Sequence, residues 1–247
     1  FGFFHLDAAW FHQDSRNVTS VGDAPDLIEF RRARLGAQGD VAENFGYMLE
    51  LDFAFPGRPN FMDVWVEARN LPFGDLRVGQ FRQPFGMDGP TSVKELTFLE
   101  RSLPFAFVPF RQTGVMASGV ELDDSLTWAV SGYRFPADFF GGTFGDGGYG
   151  LSARVTSLLV DEPESNLVLH VGGSYSYNRP ASGSLRYAAT PEIGFNFGGV
   201  GSIPFFVDTG FFGADSVSLY GVEAAGTLGG LLVQSEVISA RIDPAAG

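Results

Sequence analysis

Apolar and polar side chains alternate with a period of two along much of this chain, the mark of extended strands with two unlike faces. Between 45 and 55 one face carries Phe45, Tyr47, Leu49, Leu51, Phe53 and Phe55, and the other Gly46, Met48, Glu50, Asp52 and Ala54. Between 62 and 69 Met62, Val64, Val66 and Ala68 oppose Asp63, Trp65, Glu67 and Arg69. From 167 to 178, Leu167, Leu169, Val171, Tyr175 and Tyr177 oppose His170, Ser174, Ser176 and Asn178. Earlier, Ala33, Leu35 and Ala37 oppose Arg32, Arg34 and Gln38.

Less regular strands are predicted at 2–14, 75–83, 113–123, 125–135, 148–160, 184–197, 216–229 and 230–242, giving about twelve in all. Many exceed the ~5–6 residues usual in globular sheets and match the ~9–11 that a tilted strand needs to cross a bilayer. Links at 39–44, 56–59, 123–125 and 161–164 are short and assigned to one side. Those at 15–25, 136–147, 179–183 and 198–215 are rich in Gly, Pro, Asp and Ser and assigned to the other. The predicted class is therefore all-β, a transmembrane antiparallel barrel. Glu50, Asp52, Asp63, Glu67 and Arg69 would then line a water-filled lumen while the apolar faces meet lipid. A soluble secreted β-rich protein shares the alternation, but strand length and the charged inner face oppose it.

Composition changes this picture little. Hydrophobic residues make up 45% of the chain and charged ones 18%, yet no run nears the ~18 apolar residues of a membrane helix. A net charge of −13 argues against nucleic-acid binding. With no cysteine, disulfides and thiolate metal sites are excluded.

Residues 84–112 break the rhythm. Such a length is unusual for a structureless loop, and its many Phe and Leu residues must pack on something. Ser92 followed by Glu95 forms a capping box, and Pro104 ends the run, so the spacing predicts a short helix between them. Val93, Leu96, Leu99 and Leu103 would share its buried side, and Lys94, Thr97 and Arg101 its open side. Inside a barrel that geometry is a constriction.

The runs Phe30-Arg31-Arg32-Ala33-Arg34-Leu35-Gly36, Arg77-Val78-Gly79-Gln80-Phe81-Arg82-Gln83-Pro84-Phe85-Gly86 and Leu96-Thr97-Phe98-Leu99-Glu100-Arg101-Ser102-Leu103-Pro104 resemble the phosphate-selective porin O/P family. Arg111-Gln112-Thr113-Gly114-Val115 continues the match in order, and Val207-Asp208-Thr209-Gly210 and Tyr220-Gly221-Val222-Glu223-Ala224-Ala225 are similar to later segments. The resemblance implies an outer-membrane homotrimer of barrels of roughly sixteen strands, a third loop folded into each pore, and passive diffusion of small ions or phosphate. It further implies a cationic constriction, to which Lys94 and Arg101 correspond by position, and a ladder of lumen arginines, to which Arg32 and Arg34 correspond. The chain departs from the family in holding one lysine, Lys94, and a strongly acidic composition. A general or cation-tolerant pore thus stays open beside an anion-preferring one, as does a barrel that anchors the envelope. With twelve strands and no aromatic at Gly247, a single barrel domain over 1–247 lacking its C-terminal strands is expected, or else a smaller closed relative.

Catalysis is not expected, nor a cofactor. His5 and His12 fall on opposite strand faces, and His170 sits among serines without a Gly-x-Ser-x-Gly elbow. Acids between 138 and 146 lack calcium-loop spacing, and the glycines of 141–150 carry no lysine for a phosphate loop.

Overall fold

The computed structural model describes residues 1–55, 57–136, 148–191, 193 and 203–245. The acids at 138–146, most of the glycine-rich 141–150 stretch and most of 192–202 lie outside these.

Eleven long strands form one antiparallel sheet in chain order. They are β1 (Gly2–Ala9), β2 (Leu27–Ala42), β3 (Phe45–Asp52), β4 (Asn60–Leu71), β5 (Gly74–Arg82), β6 (Arg111–Glu121), β7 (Leu126–Arg134), β8 (Tyr149–Glu162) and β9 (Leu167–Arg179). After them come four two-residue strands, β10 (Ser184–Leu185), β11 (Ala188–Ala189), β12 (Val207–Asp208) and β13 (Phe212–Gly213), and then β14 (Ser216–Leu228) and β15 (Leu231–Asp243). The sheet runs from β1 to β9 and on to β14 and β15, and among the described residues no ladder joins β1 to β15. No helix of the described residues is long and apolar enough to cross a membrane, which says nothing of strands.

The sheet is inverted relative to a water-soluble one. Val66, Val78, Val115, Val130, Leu151 and Val222 are exposed on one face. On the other, Glu50, Asp52, Asp63, Glu67, Gln80, Gln112, Ser131, Ser152 and Ser176 are buried. Cross-strand pairing carries the outer row continuously, from Val66 to Val78, to Val115 and on through Gly132 to Leu151. Exposed aliphatic rows opposite buried polar ones satisfy a lipid outside and a polar inside.

Connections alternate between the sheet's two ends. Tight turns follow β2, β4, β6, β8 and β14, while β1, β3, β5, β7 and β9 end at the opposite edge of the sheet. The link out of β3, expected among the tight turns, instead leaves the sheet opposite the β2–β3 turn, because an antiparallel strand ends at the edge away from the turn that starts it.

Other expectations are corrected by local geometry. The strand drawn over 2–14 stops at Ala9, because Asp14 accepts from the Asn17 amide (2.7 Å) and caps a helix, α1 (Ser15–Val21). Met62, assigned to the outer face, is buried together with its neighbour Asp63. A bulge between Leu49/Leu51 and Val64/Phe61 inserts one residue and resets the alternation. The strand drawn over 184–197 is, in its described part, only β10 and β11. These pair with β13 and β12 in small separate ladders, and the Tyr187 ring stacks on Phe107 and Phe212.

The segment 83–110 does not stay outside. Gln83 donates to the Phe81 and Gln112 carbonyls and accepts from Ser131 Oγ (2.7 Å). Phe85 is wholly buried among Leu185, Ala214, Val217 and Leu219. The Gly86 amide reaches Ser174 on β9, and the Met87 amide reaches Glu236 on β15. Gly86 has φ +64°, and a Cβ there would collide with the Glu236 carboxylate. The left-handed backbone there favours glycine, and a side chain would also need the Glu236 carboxylate to move aside. The loop thus crosses the inner face from β5 to β14 and β15.

Its helix differs from the predicted one. Ser92 and Glu95 form only a turn, closed by the Glu95 amide on the Ser92 carbonyl (2.9 Å). The short helix is a 3-10 turn at Leu103–Phe107 with Pro104 in its first turn, where the fixed φ of proline helps to start a helix rather than stop one.

Candidate functional site

The inner face of β2 to β6 holds a chain of alternating charges. Arg34 donates through Nε to Asp52 (2.8 Å), its cross-strand partner, and its NH1 lies 3.7 Å from Glu50. Glu50 also lies 3.8 Å from Arg111, which pairs with Asp63 (2.8 Å). Asp63 in turn lies 3.5 Å from Arg82. Arg82 and Arg111 sit directly opposite one another on β5 and β6. Like charges so placed repel, and Asp63 between them offsets that. These acids are consequently neutralised in place by arginines, so the negative charge of the whole chain says little about the field at this wall.

A second group lies nearer the tight turns. Glu67 binds Arg77 (2.6 Å) and Arg69 (3.1 Å), Arg69 also pairs with Asp40 (2.7 Å), and the Arg77 guanidinium stacks 4.1 Å above the Trp65 ring. Next to it a cavity of about 810 Å³ opens, lined among others by Asp63, Trp65, Arg77, Arg82, Met116 and Arg154. His170 Nε2 lies 2.8 Å from Glu223, which also binds Arg154.

The loop adds further charges. Glu100 meets both Arg31 (3.0 Å) and Arg32 (2.6 Å). Neighbours in a strand normally face opposite ways. The register between β1 and β2 shifts at His5/Leu6, and that bulge turns both arginines inward.

Arg101 donates through Nε to the Asp88 carbonyl (2.7 Å) and through NH2 to that of Thr91 (2.6 Å), tying the loop to itself. Its guanidinium lies 4.9 Å from the Phe105 ring and 4.8 Å from the Phe110 ring. Burial first, then the charges of Arg82, Arg111 and Arg32, push its proton affinity below the ordinary arginine value. A cation so crowded by cations is a place where an anion would be stabilised.

The three residues expected on one helix face are therefore apart. With no helix at 92–103, Arg101 turns back against the loop. Lys94 is exposed, its Nζ 6.0 Å and 5.9 Å from the Phe1 and Phe3 rings. Thr97 is exposed and lines two cavities, one of about 720 Å³ next to β1 and one of about 250 Å³ next to β15. Arg32, Arg34, Glu50, Asp52, Asp63 and Glu67 all lie on the buried face, and Arg69 is half-exposed near the turns.

Sequence reasoning passed over Arg31, Arg82, Glu100 and Arg111 as site residues. Arg82 was within reach, since it shares strand parity with Gln80. Arg31 and Glu100 were not, because a bulge and a long-range loop contact bring them in. Among the described residues no His/Asp/Glu group is arranged to hold a metal ion.

A family model described as phosphate-selective porin O and P matches residues 2–246. Porin O of Pseudomonas aeruginosa is 25% identical over 248 residues, covering 91% of this chain and 55% of that relative. The chain thus spans little more than half the length of the curated relative it matches. No solved structure matches it.

Proposed function

From a chain that belongs to the phosphate-selective porin O and P family, we propose an outer-membrane channel that passes small solutes and ions by passive diffusion and prefers anions, phosphate among them. The carrying observation is Arg101, held by an inward-folded loop with donors on the Asp88 and Thr91 carbonyls, beside Arg82, which donates to the Pro90 carbonyl, and Arg111, which shares the Phe110 ring with it. In a narrow lumen walled by low-dielectric protein, such a group lowers the barrier for anions and raises it for cations. The lone lysine does not limit this, because arginine forks bind oxyanions at two oxygens at once.

The porin domain extends over the whole chain, with 84–112 as its constriction loop, and it assembles as a homotrimer whose outer apolar rows face lipid and neighbouring copies. It works as a channel, with no chemical step. Membranes reconstituted with the protein should show discrete conductance steps, with a reversal potential in a potassium chloride gradient on the chloride side. Arg101→Gln should move that potential toward potassium. Silent bilayers at protein levels that give trimers in detergent would defeat the channel reading and leave an envelope-anchoring barrel.

A further inference from the structure

Glu100 differs from the other lumen acids. Glu50, Asp52 and Asp63 stand on strands, locked in the register of the ladder, whereas Glu100 is delivered from the tip side of the loop to a wall far from the loop's root. At that wall the β2 bulge presents two consecutive guanidiniums. Arg31 Nε reaches Oε1 at 3.0 Å and Arg32 NH2 reaches Oε2 at 2.7 Å. The three side chains are only 10–14% exposed. One nitrogen of each guanidinium converges on the carboxylate, Arg32 NH2 lying between its two oxygens (2.6 Å from Oε1), an arrangement of charge-assisted donors that would also hold a small oxyanion.

We infer that Glu100 is a tethered counter-anion: it occupies an oxyanion site formed by Arg31 and Arg32, competes there with permeant oxyanions, and ties the loop to β2 while that site is free of them. This rests on the channel reading above. Glu100 positions the loop and sets specificity by withholding two cations from the permeating ion. An oxyanion that displaces it gains both guanidiniums and frees the loop from β2.

The test uses the full chain in planar bilayers, with inorganic phosphate as the probe. Glu100→Gln keeps an acceptor but removes the charge. Its reversal potential should move further toward chloride. Because an ionic hydrogen-bonded competitor is lost, phosphate should block the chloride current at roughly tenfold lower concentration. Glu95→Gln, an exposed acid of the same loop, should change both far less.

If the native channel conducts and Glu100→Gln leaves selectivity and phosphate block unchanged, or if Glu95→Gln matches it, the inference falls while the channel reading stands. A native protein that does not conduct defeats the channel reading itself. Should Glu100→Gln fail to assemble, Val93→Cys serves instead. Val93 is buried, lines a cavity with Arg32 and Glu100, and would be the sole cysteine. Phosphate should speed its modification by a thiol reagent relative to chloride at equal ionic strength, and equal rates would overturn the inference.

Discussion

The two halves of the sheet's inner face are built on different chemistry. From β2 to β6 the wall is ionic, Arg34, Arg82 and Arg111 alternating with Glu50, Asp52 and Asp63. Toward their tight turns β8 and β9 bring Arg154 and His170 to Glu223, but toward the loop end β7 to β9 are neutral. There the Tyr133 hydroxyl meets Ser152 (2.9 Å), Ser176 (3.0 Å) and Asn178 (2.8 Å), and every member is buried. Beyond it, Val217 and Leu219 of β14 turn inward to pack on Phe85. The loop uses this asymmetry. Its root is fixed chiefly on the neutral and apolar side, through Gln83 on Ser131 and Phe85 on Val217 and Leu219, with the Met87 amide on Glu236 beyond, and its charges, Glu100 and Arg101, are presented to the ionic side. Apolar burial and neutral hydrogen bonds hold position without biasing the field, while guanidiniums bias the field wherever a carboxylate does not cancel them.

The strongest way to break this comparison is at the root. Phe85→Ala should cost about 3–5 kcal/mol through the cavity it leaves, read as a lower urea midpoint in lipid or detergent, and should raise open-channel conductance as the loop loosens. A loss below about 1 kcal/mol would mean that the apolar wall does not hold the loop. Next, both walls share one exterior. Val66→Arg on the exposed row should impair assembly by ~2–4 kcal/mol if that row lies near the bilayer midplane. Equal tolerance of Val66→Arg and Glu67→Gln would point to a water-facing sheet.

The comparison sharpens when one group is removed from each wall. Tyr133→Phe should lower stability by about 1 kcal/mol for the lost hydroxyl bonds and leave the reversal potential where it was. Arg111→Gln should shift that potential toward potassium even in trimers of normal thermal stability. A selectivity change from Tyr133→Phe as large as that from Arg111→Gln would erase the division. The smallest effect is expected at Lys94. It is exposed near Phe1 and Phe3, where water and salt screen it. Lys94→Glu should therefore move the reversal potential less than Arg101→Gln does.

The strands were legible because their information is local. A period of two fixes which residues share a face, and aliphatic rows opposite charged ones admit a barrel wall more readily than a sandwich. Thus β3, β4, β9 and the inward placement of Glu50, Asp52 and Glu67 could be read without coordinates. Where the period slips, local reading fails. The bulges that bury Met62 and turn both Arg31 and Arg32 inward depend on the neighbouring strand's register, which no single strand encodes.

The loop shows the same limit more strongly. Its apolar content announced that it must pack, but the capping signal at Ser92 carried less weight than tertiary contacts. Arg101 satisfies the Asp88 and Thr91 carbonyls, and Glu100 pairs with side chains sixty-eight and sixty-nine residues away. The sequence by itself determined strand faces, the all-β class and the existence of a packed insertion. The tertiary structure decided which charges meet, because long-range ion pairs and bulges follow from how strands and loop are brought together in space, not from spacing along the chain.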